Sequence, residues 1–160
     1  MISVILLAAG VGSRMGSEIP KQYLPLGSKR VIDYSLEWAK RFDEVIVVAD
    51  KQFHPQFLDV KLTEGGKRRQ DSVYRGLLLA TKEYVLVHDT ARPFTKWEDI
   101  EKLVEAAKKY QAATLAKPIA YTVKEADSEG TVNKTLDRSK LWEIQTPQMI
   151  RRDLLLKGYE

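Results

Sequence analysis

Ile2 to Leu7 is an apolar run broken only by Ser3, and glycines follow at positions 10, 12 and 16. A short run this rich in β-branched residues reads as a strand covered on both faces, as in a parallel sheet. Glycines at its end allow positive φ and close approach of a ligand to the backbone. Main-chain N–H groups in such a turn can face a phosphate. Two cations follow: Arg14, and Lys21 within Pro20-Lys21-Gln22-Tyr23.

The spacing excludes two familiar phosphate-binding turns. A Gly-x-Gly-x-x-Gly dinucleotide loop would need glycine where Met15 stands. The Gly-x-x-x-x-Gly-Lys-Ser/Thr loop fails twice: Gly16 is followed by Ser17, and Gly16 lies one residue too far from Gly10.

A chain of 160 residues is one domain, large enough for a good core. It contains no cysteine, which excludes disulfides and thiolate metal sites. No apolar stretch approaches membrane-span length, and the first residues enter a strand directly, leaving no room for a leader. A soluble cytoplasmic protein with no membrane partner is expected. The net charge of +4 is mild. Its cations are dispersed without a stacking platform of aromatics, which argues against nucleic acid and suits a small anionic substrate.

Short apolar runs alternate with helical periodicity. Glu44–Ala49, Lys61–Glu64, Tyr84–His88 and Ala113–Ala116 read as strands. Helices are expected over Val31–Arg41, after a cap at Asp71 or Ser72, and after Thr95-Lys96-Trp97-Glu98, which has capping-box spacing. Met149–Glu160 reads as helical, with no strand after it to close the fold. The pattern predicts a doubly wound, mostly parallel Rossmann-like α/β sheet, with ligands at the carboxyl ends of its strands. From about residue 118 to 143, two weakly apolar segments flank the turn Asp127-Ser128-Glu129-Gly130, predicting a projecting β-hairpin arm that needs a partner surface.

Asp89 ends a strand beside these phosphate binders, where it suits Mg²⁺ or serves as a turn cap for Thr90-Ala91. Arg92 could clamp a phosphate or hold Asp89. Lys67-Arg68-Arg69 is either a solvated face or a ligand-side run in which a guanidinium contacts a phosphate or braces the loop from behind. Of the two histidines, His88 reads as structural and His54 as exposed. No Ser-His-Asp set or histidine metal cluster can be assembled. If the attacking group is a phosphate monoester, mostly dianionic above its second pKa of about 6, no general base is required. Catalysis then reduces to alignment and charge neutralisation.

At this point the chain resembles a known family. Leu7-Ala8-Ala9-Gly10-Val11-Gly12-Ser13-Arg14-Met15-Gly16 with Pro20-Lys21-Gln22 is similar to the nucleotidyltransferase signature of sugar-nucleotide pyrophosphorylases. Gly65-Gly66-Lys67-Arg68-Arg69-Gln70-Asp71-Ser72-Val73, Val87-His88-Asp89-Thr90-Ala91-Arg92-Pro93 and Leu141-Trp142-Glu143-Ile144-Gln145-Thr146-Pro147-Gln148 narrow the resemblance to the 2-C-methyl-D-erythritol 4-phosphate cytidylyltransferases of non-mevalonate isoprenoid biosynthesis.

The resemblance implies that CMP passes from CTP to methylerythritol phosphate, releasing pyrophosphate. Ala8, Ala9, Gly10 and Gly12 would line the CTP loop. Arg14 and Lys21 would be catalytic, neutralising the triphosphate and the transition state. Gly66 and Ser72 would read cytosine, Asp89 would hold Mg²⁺ and Arg92 would support the same site. Thr122, Arg138 and Thr146 would bind methylerythritol phosphate, with Thr122 and Arg138 serving the partner's site in a homodimer joined through the arm. Relatives continue with another strand, a second metal-binding aspartate and a basic segment. Without that C-terminal part, CTP binding is expected to outlast full activity. Thr90 stands where the family has alanine, a mild change. The alternatives are a ribitol 5-phosphate cytidylyltransferase and a non-catalytic CTP-binding fragment.

Overall fold

In the computed structural model, which describes residues 1–10 and 19–160, the elements follow the alternation of the sequence. They are β1 (Ile2–Leu7), β2 (Pro25–Leu26), β3 (Lys29–Arg30), α1 (Val31–Ala39), β4 (Glu44–Val48), β5 (Lys61–Thr63) and α2 (Arg69–Leu79). Then come β6 (Tyr84–Asp89), α3 (Trp97–Tyr110), β7 (Ala112–Pro118), β8 (Lys124–Ala126), β9 (Val132–Thr135), β10 (Trp142–Arg151) and α4 (Arg152–Lys157).

The main sheet has the order β5-β4-β1-β6-β10-β7. Its first four strands are parallel, and β10 runs antiparallel to both neighbours. The period of two sends Ile2, Val4 and Leu6 to one face, where they pack with Ile32 and Trp38 of α1 and Ile100 and Leu103 of α3. Ile5, Ile46 and Val48 face the other way, onto Val73 and Leu77 of α2, with Leu155 and Leu156 of α4 beside them. A strand covered on both faces has no polar side to show, which explains the unbroken apolar runs. The chain order reverses between β1 and β6, so their carboxyl ends form the crevice where such sheets bind ligands.

The C-terminal region differs from the sequence expectation. Met149, Ile150 and Arg151 belong to β10, and the helix is confined to Arg152–Lys157. Met149 pairs with Leu86 and is buried in the core, so packing against β6 overrides the helical periodicity. The strand β10 is inserted in the sheet between β6 and β7, and no strand follows α4 among the described residues. Its register against β7 shifts between Ile144 and Gln148, around Pro147, which lacks the N–H of a regular ladder.

Two helix starts also differ. The cap of α2 is Arg68, and Asp71 acts from the third helical position by accepting the Arg68 backbone N–H at 3.0 Å. The cap of α3 is Lys96 without a side-chain bond, while the Thr95 hydroxyl donates to the Arg92 carbonyl at 3.5 Å. Outside the main sheet, β8 and β9 pair with each other alone and bury no residue. Asp127 accepts the backbone N–H groups of Glu129 and Thr131 in the turn that joins them, and Gly130 supplies φ of +87°. No helix among the described residues is long and apolar enough to cross a membrane.

Glu44 ties the amino ends of the strands together. Its carboxylate accepts bonds from the Ser3 hydroxyl at 2.5 Å, Lys61 Nζ at 2.6 Å, and the Thr81 N–H and hydroxyl at 2.9 Å each. Burial alone would raise its pKa, but these donors outweigh it and lower the value to about 2. A depressed carboxyl stabilises the fold above its unfolded pKa, and that stability is lost as pH falls through the folded value. Chemical denaturation between pH 5 and about pH 2 should therefore show a loss of about 2–3 kcal/mol that the Glu44→Gln variant lacks.

Candidate active site

The turn after β1 is held from one side. Ala8 extends the ladder by donating its N–H to the Val48 carbonyl at 2.7 Å. Beyond it, Gln22 Nε2 donates to the carbonyls of Ala8 at 2.6 Å and Gly10 at 2.9 Å, and the Tyr23 hydroxyl adds a bond to Ala8 at 3.2 Å. A trans peptide sets its C=O and N–H on opposite sides. Drawing the Ala8 carbonyl toward Gln22 thus turns the Ala9 N–H to the opposite side of the turn. Gly10 is exposed, and an added Cβ would meet no described atom within 4 Å. Its φ lies outside the left-handed region, so access, not positive φ, is what this glycine provides.

Lys21 opens the short 3₁₀ turn Lys21–Tyr23. Successive residues there point about 120° apart, so burying Gln22 and Tyr23 leaves Lys21 facing solvent. Gln22 is 3% exposed and holds two backbone carbonyls, a role that leaves no periodic trace in sequence. The Gln22→Leu variant should lose about 1–3 kcal/mol in denaturant unfolding, the loss expected when buried carbonyls go unpaired.

The second wall is the loop from β5 to α2. Gly66 donates its N–H to the Ser72 hydroxyl at 3.0 Å, joining the two residues expected to read cytosine. Arg75 Nη1 donates to the Gly65 carbonyl at 2.8 Å. Gly65 lies against the first wall: a Cβ built on it would stand 2.3 Å from Ala9 Cβ. At Gly66 a Cβ would stand 2.3 Å from Asp71 Cβ. Within the basic run, Arg68 braces the helix start, and its guanidinium holds the Asp71 carboxyl below the ordinary range.

Asp89 sits beside Leu7 in the ladder, at the end of β6. Arg69 reaches it from the start of α2, with Nε and Nη2 each 2.9 Å from Oδ1. Thr90 donates both its N–H and its hydroxyl to the Leu7 carbonyl, fastening the two strand ends together. His88 is fully buried, and burial lowers its pKa to about 4, so the ring is neutral. Its Nε2 contacts a carbonyl, that of Arg92 at 3.2 Å, and must carry the proton. Nδ1 therefore accepts from the Thr146 hydroxyl at 3.2 Å, and that same oxygen accepts the Asp89 N–H at 3.1 Å. The network joins β6 to β10 and fixes the backbone on which Asp89 and Arg92 stand. His54, expected to be exposed, is half-buried and contacts the Ala49 carbonyl at 2.9 Å through Nε2.

The residues expected at the site fall into three groups. Ala8, Ala9, Gly10 and Lys21 lie at or next to the end of β1, Gly66 and Ser72 line the adjacent loop, and Asp89, Arg92 and Thr146 gather at the end of β6. Gly12 and Arg14 lie outside the described residues. Thr122 and Arg138 are exposed in the segment between β7 and β10, where Arg138 Nη1 donates to the Ala120 carbonyl at 2.8 Å. Among the described residues, no hydrogen bond joins that pair to Lys21 or Asp89. No group of three or more His, Cys, Asp or Glu side chains able to hold a metal occurs among the described residues. A single carboxylate still suits Mg²⁺, which commonly takes one or two carboxylates together with substrate phosphates.

The chain is similar to known proteins over nearly its whole length. The family model described as 2-C-methyl-D-erythritol 4-phosphate cytidylyltransferase matches residues 2–160. The chloroplastic enzyme of that name from Oryza sativa is 45% identical over 99% of this chain, and the Chlamydia pneumoniae enzyme is 42% identical over 98%. The chain spans 58% of the rice protein and 74% of the chlamydial one. The crystal structure of the Francisella tularensis enzyme superposes with a TM-score of 0.82 at 34% identity, covering 99% of this chain and 76% of that one. With the strand order, the glycine-bordered crevice and these similarities in agreement, the chain belongs to the 2-C-methyl-D-erythritol 4-phosphate cytidylyltransferase family of nucleotidyltransferases.

Proposed function

We propose that the protein carrying this chain transfers CMP from CTP to 2-C-methyl-D-erythritol 4-phosphate, releasing pyrophosphate. The observation that carries the reading is the turn after β1, where Gln22 holds the carbonyls of Ala8 and Gly10 on one side, so that the Ala9 N–H, opposite the Ala8 carbonyl, is left for an anion. In the reaction, an oxygen of the methylerythritol phosphate attacks the α-phosphorus of CTP. The bond to the bridging oxygen breaks, and that oxygen leaves with pyrophosphate. The nucleophile is already anionic, so the buried neutral His88 need not act as a base.

Ala8, Ala9 and Gly10 line the triphosphate, with Gly12 and Arg14 completing the loop. Lys21 neutralises the charge that builds in transfer. Gly66 and Ser72 face the cytosine, Arg92 supports the phosphates, and Thr146 meets the polyol phosphate. Asp89 is the residue that would hold Mg²⁺, and the ion would offset the charge of the phosphates. The hairpin β8–β9 buries nothing of its own, and isolated two-stranded hairpins are marginal in water. Tyr121, Val132, Trp142 and Ile144 are exposed on the arm or at its base. We read that surface as seated on a second copy, with Thr122 and Arg138 entering the partner's site.

The names of the relatives favour methylerythritol phosphate over ribitol 5-phosphate. A coupled pyrophosphate assay with CTP and Mg²⁺ tests the choice. Release with methylerythritol phosphate, at least about tenfold faster than with ribitol 5-phosphate, is expected, since a site built for one polyol leaves polar groups unpaired with another. Equal or reversed rates would reject the assignment, and CTP binding without release under either acceptor would reduce the chain to a nucleotide-binding module.

A further inference from the structure

The Arg69–Asp89 ion pair joins the nucleotide-side loop to the carboxylate read above as the metal's ligand. The two residues are twenty positions apart in sequence, and Arg69 is the first residue of α2. Both guanidinium contacts fall on one oxygen of Asp89. The side chains are 50% and 33% exposed, so the pair is screened and readily parted. It braces no buried group: Asp89 is placed by its backbone, through the β1 ladder and Thr146. The neighbouring Arg68, by contrast, is committed to Asp71 and the cap of the helix. An arginine that contributes little to the fold yet sits on a metal-seeking carboxylate acts on what that carboxylate can bind.

We propose that Arg69 is a placeholder for the divalent cation. It neutralises Asp89 while the nucleotide is absent and yields when a metal–triphosphate complex arrives, so the metal enters with CTP and not ahead of it. The inference rests on the reading of Asp89 as the metal's carboxylate. A carboxylate occupied by a guanidinium presents only a fraction of its population to a metal, and the apparent affinity falls by that fraction. A triphosphate overcomes this loss by supplying several further oxygens to the same cation. Under the competing reading, in which Arg69 only staples α2 to β6, its loss would leave metal affinity untouched.

Electron paramagnetic resonance of free Mn²⁺ separates these readings in the nucleotide-free protein. Arg69→Gln should tighten Mn²⁺ binding about three- to tenfold, the range open to a weak, half-exposed pair. Adding Asp89→Asn to that variant should abolish the gain. If Arg69→Gln leaves nucleotide-free affinity unchanged or weaker, while Asp89→Asn alone lowers Mn²⁺ uptake in the presence of CTP, the placeholder is refuted and Asp89 keeps its role. If Asp89→Asn changes uptake in neither condition, both readings fall.

Discussion

Gly65→Ala lowers kcat/KM for CTP about 100-fold, the scale of loss that follows a misplacement of about 1 Å in an aligned site. The new methyl group would stand 2.3 Å from Ala9 Cβ, whereas carbon atoms pack at about 3.5–4.0 Å. One of the two walls must retreat. The Ala9 wall is pinned by Gln22 and the β4 ladder, and the Gly65 wall by Arg75 and Ser72. The displacement therefore opens the crevice in which base and triphosphate must be held together. A second substitution provides the control. Ala9→Gly removes the clashing carbon, leaving Ala9 Cα at 3.7 Å and Ser72 Oγ at 3.3 Å, so Ala9→Gly/Gly65→Ala should recover most of the lost kcat/KM. Steady-state kinetics of the three variants suffice. A Gly65→Ala enzyme within about threefold of the parent would show that the contact between the walls does not set the site's geometry.

Under the proposed role of Lys21, in which its ammonium acts on charge that grows during transfer, Lys21→Ala should lower kcat by about 10²–10³ while CTP affinity changes by less than about fivefold. The side chain points outward from a turn whose other residues are buried, so unfolding free energy should stay within about 0.5 kcal/mol of the parent. Single-turnover kinetics beside calorimetric CTP titration separate the two effects. Equal losses in kcat and affinity would make Lys21 a binding residue and leave charge neutralisation in the transition state to other groups.

What the sequence disclosed and what it concealed follow from the physics of each element. Val45–Val48 and Val85–Val87 are buried on both faces, and a buried parallel strand must be continuously apolar, so these strands were legible. The last strand of the sheet was not. Its Gln145, Thr146 and Pro147 interrupt the apolar pattern, and the shift in register near them leaves Met149 and Ile150 looking like the start of a helix. The site shows the same division. Glycines and cations advertise a phosphate turn by residue type alone. Gln22 acts by bonding two main-chain oxygens, and His88 by a tautomer fixed between a carbonyl and a hydroxyl. In a one-dimensional reading such positions look like those of any polar residue. Their roles exist only once β1, β6 and β10 lie side by side. The pairing of Arg69 with Asp89 is similarly invisible until α2 packs over the sheet.

The proposed chemistry rests on the main chain after β1 presenting amide N–H groups to a triphosphate. A crystal structure with CTP and Mg²⁺ tests this most directly. The triphosphate should lie against the N–H groups of Ala9 and Gly10, within reach of Lys21, with the carbonyls of Ala8 and Gly10 still held by Gln22. A nucleotide seated elsewhere, or phosphates met by those carbonyls in place of the amides, would overturn the assignment of the site.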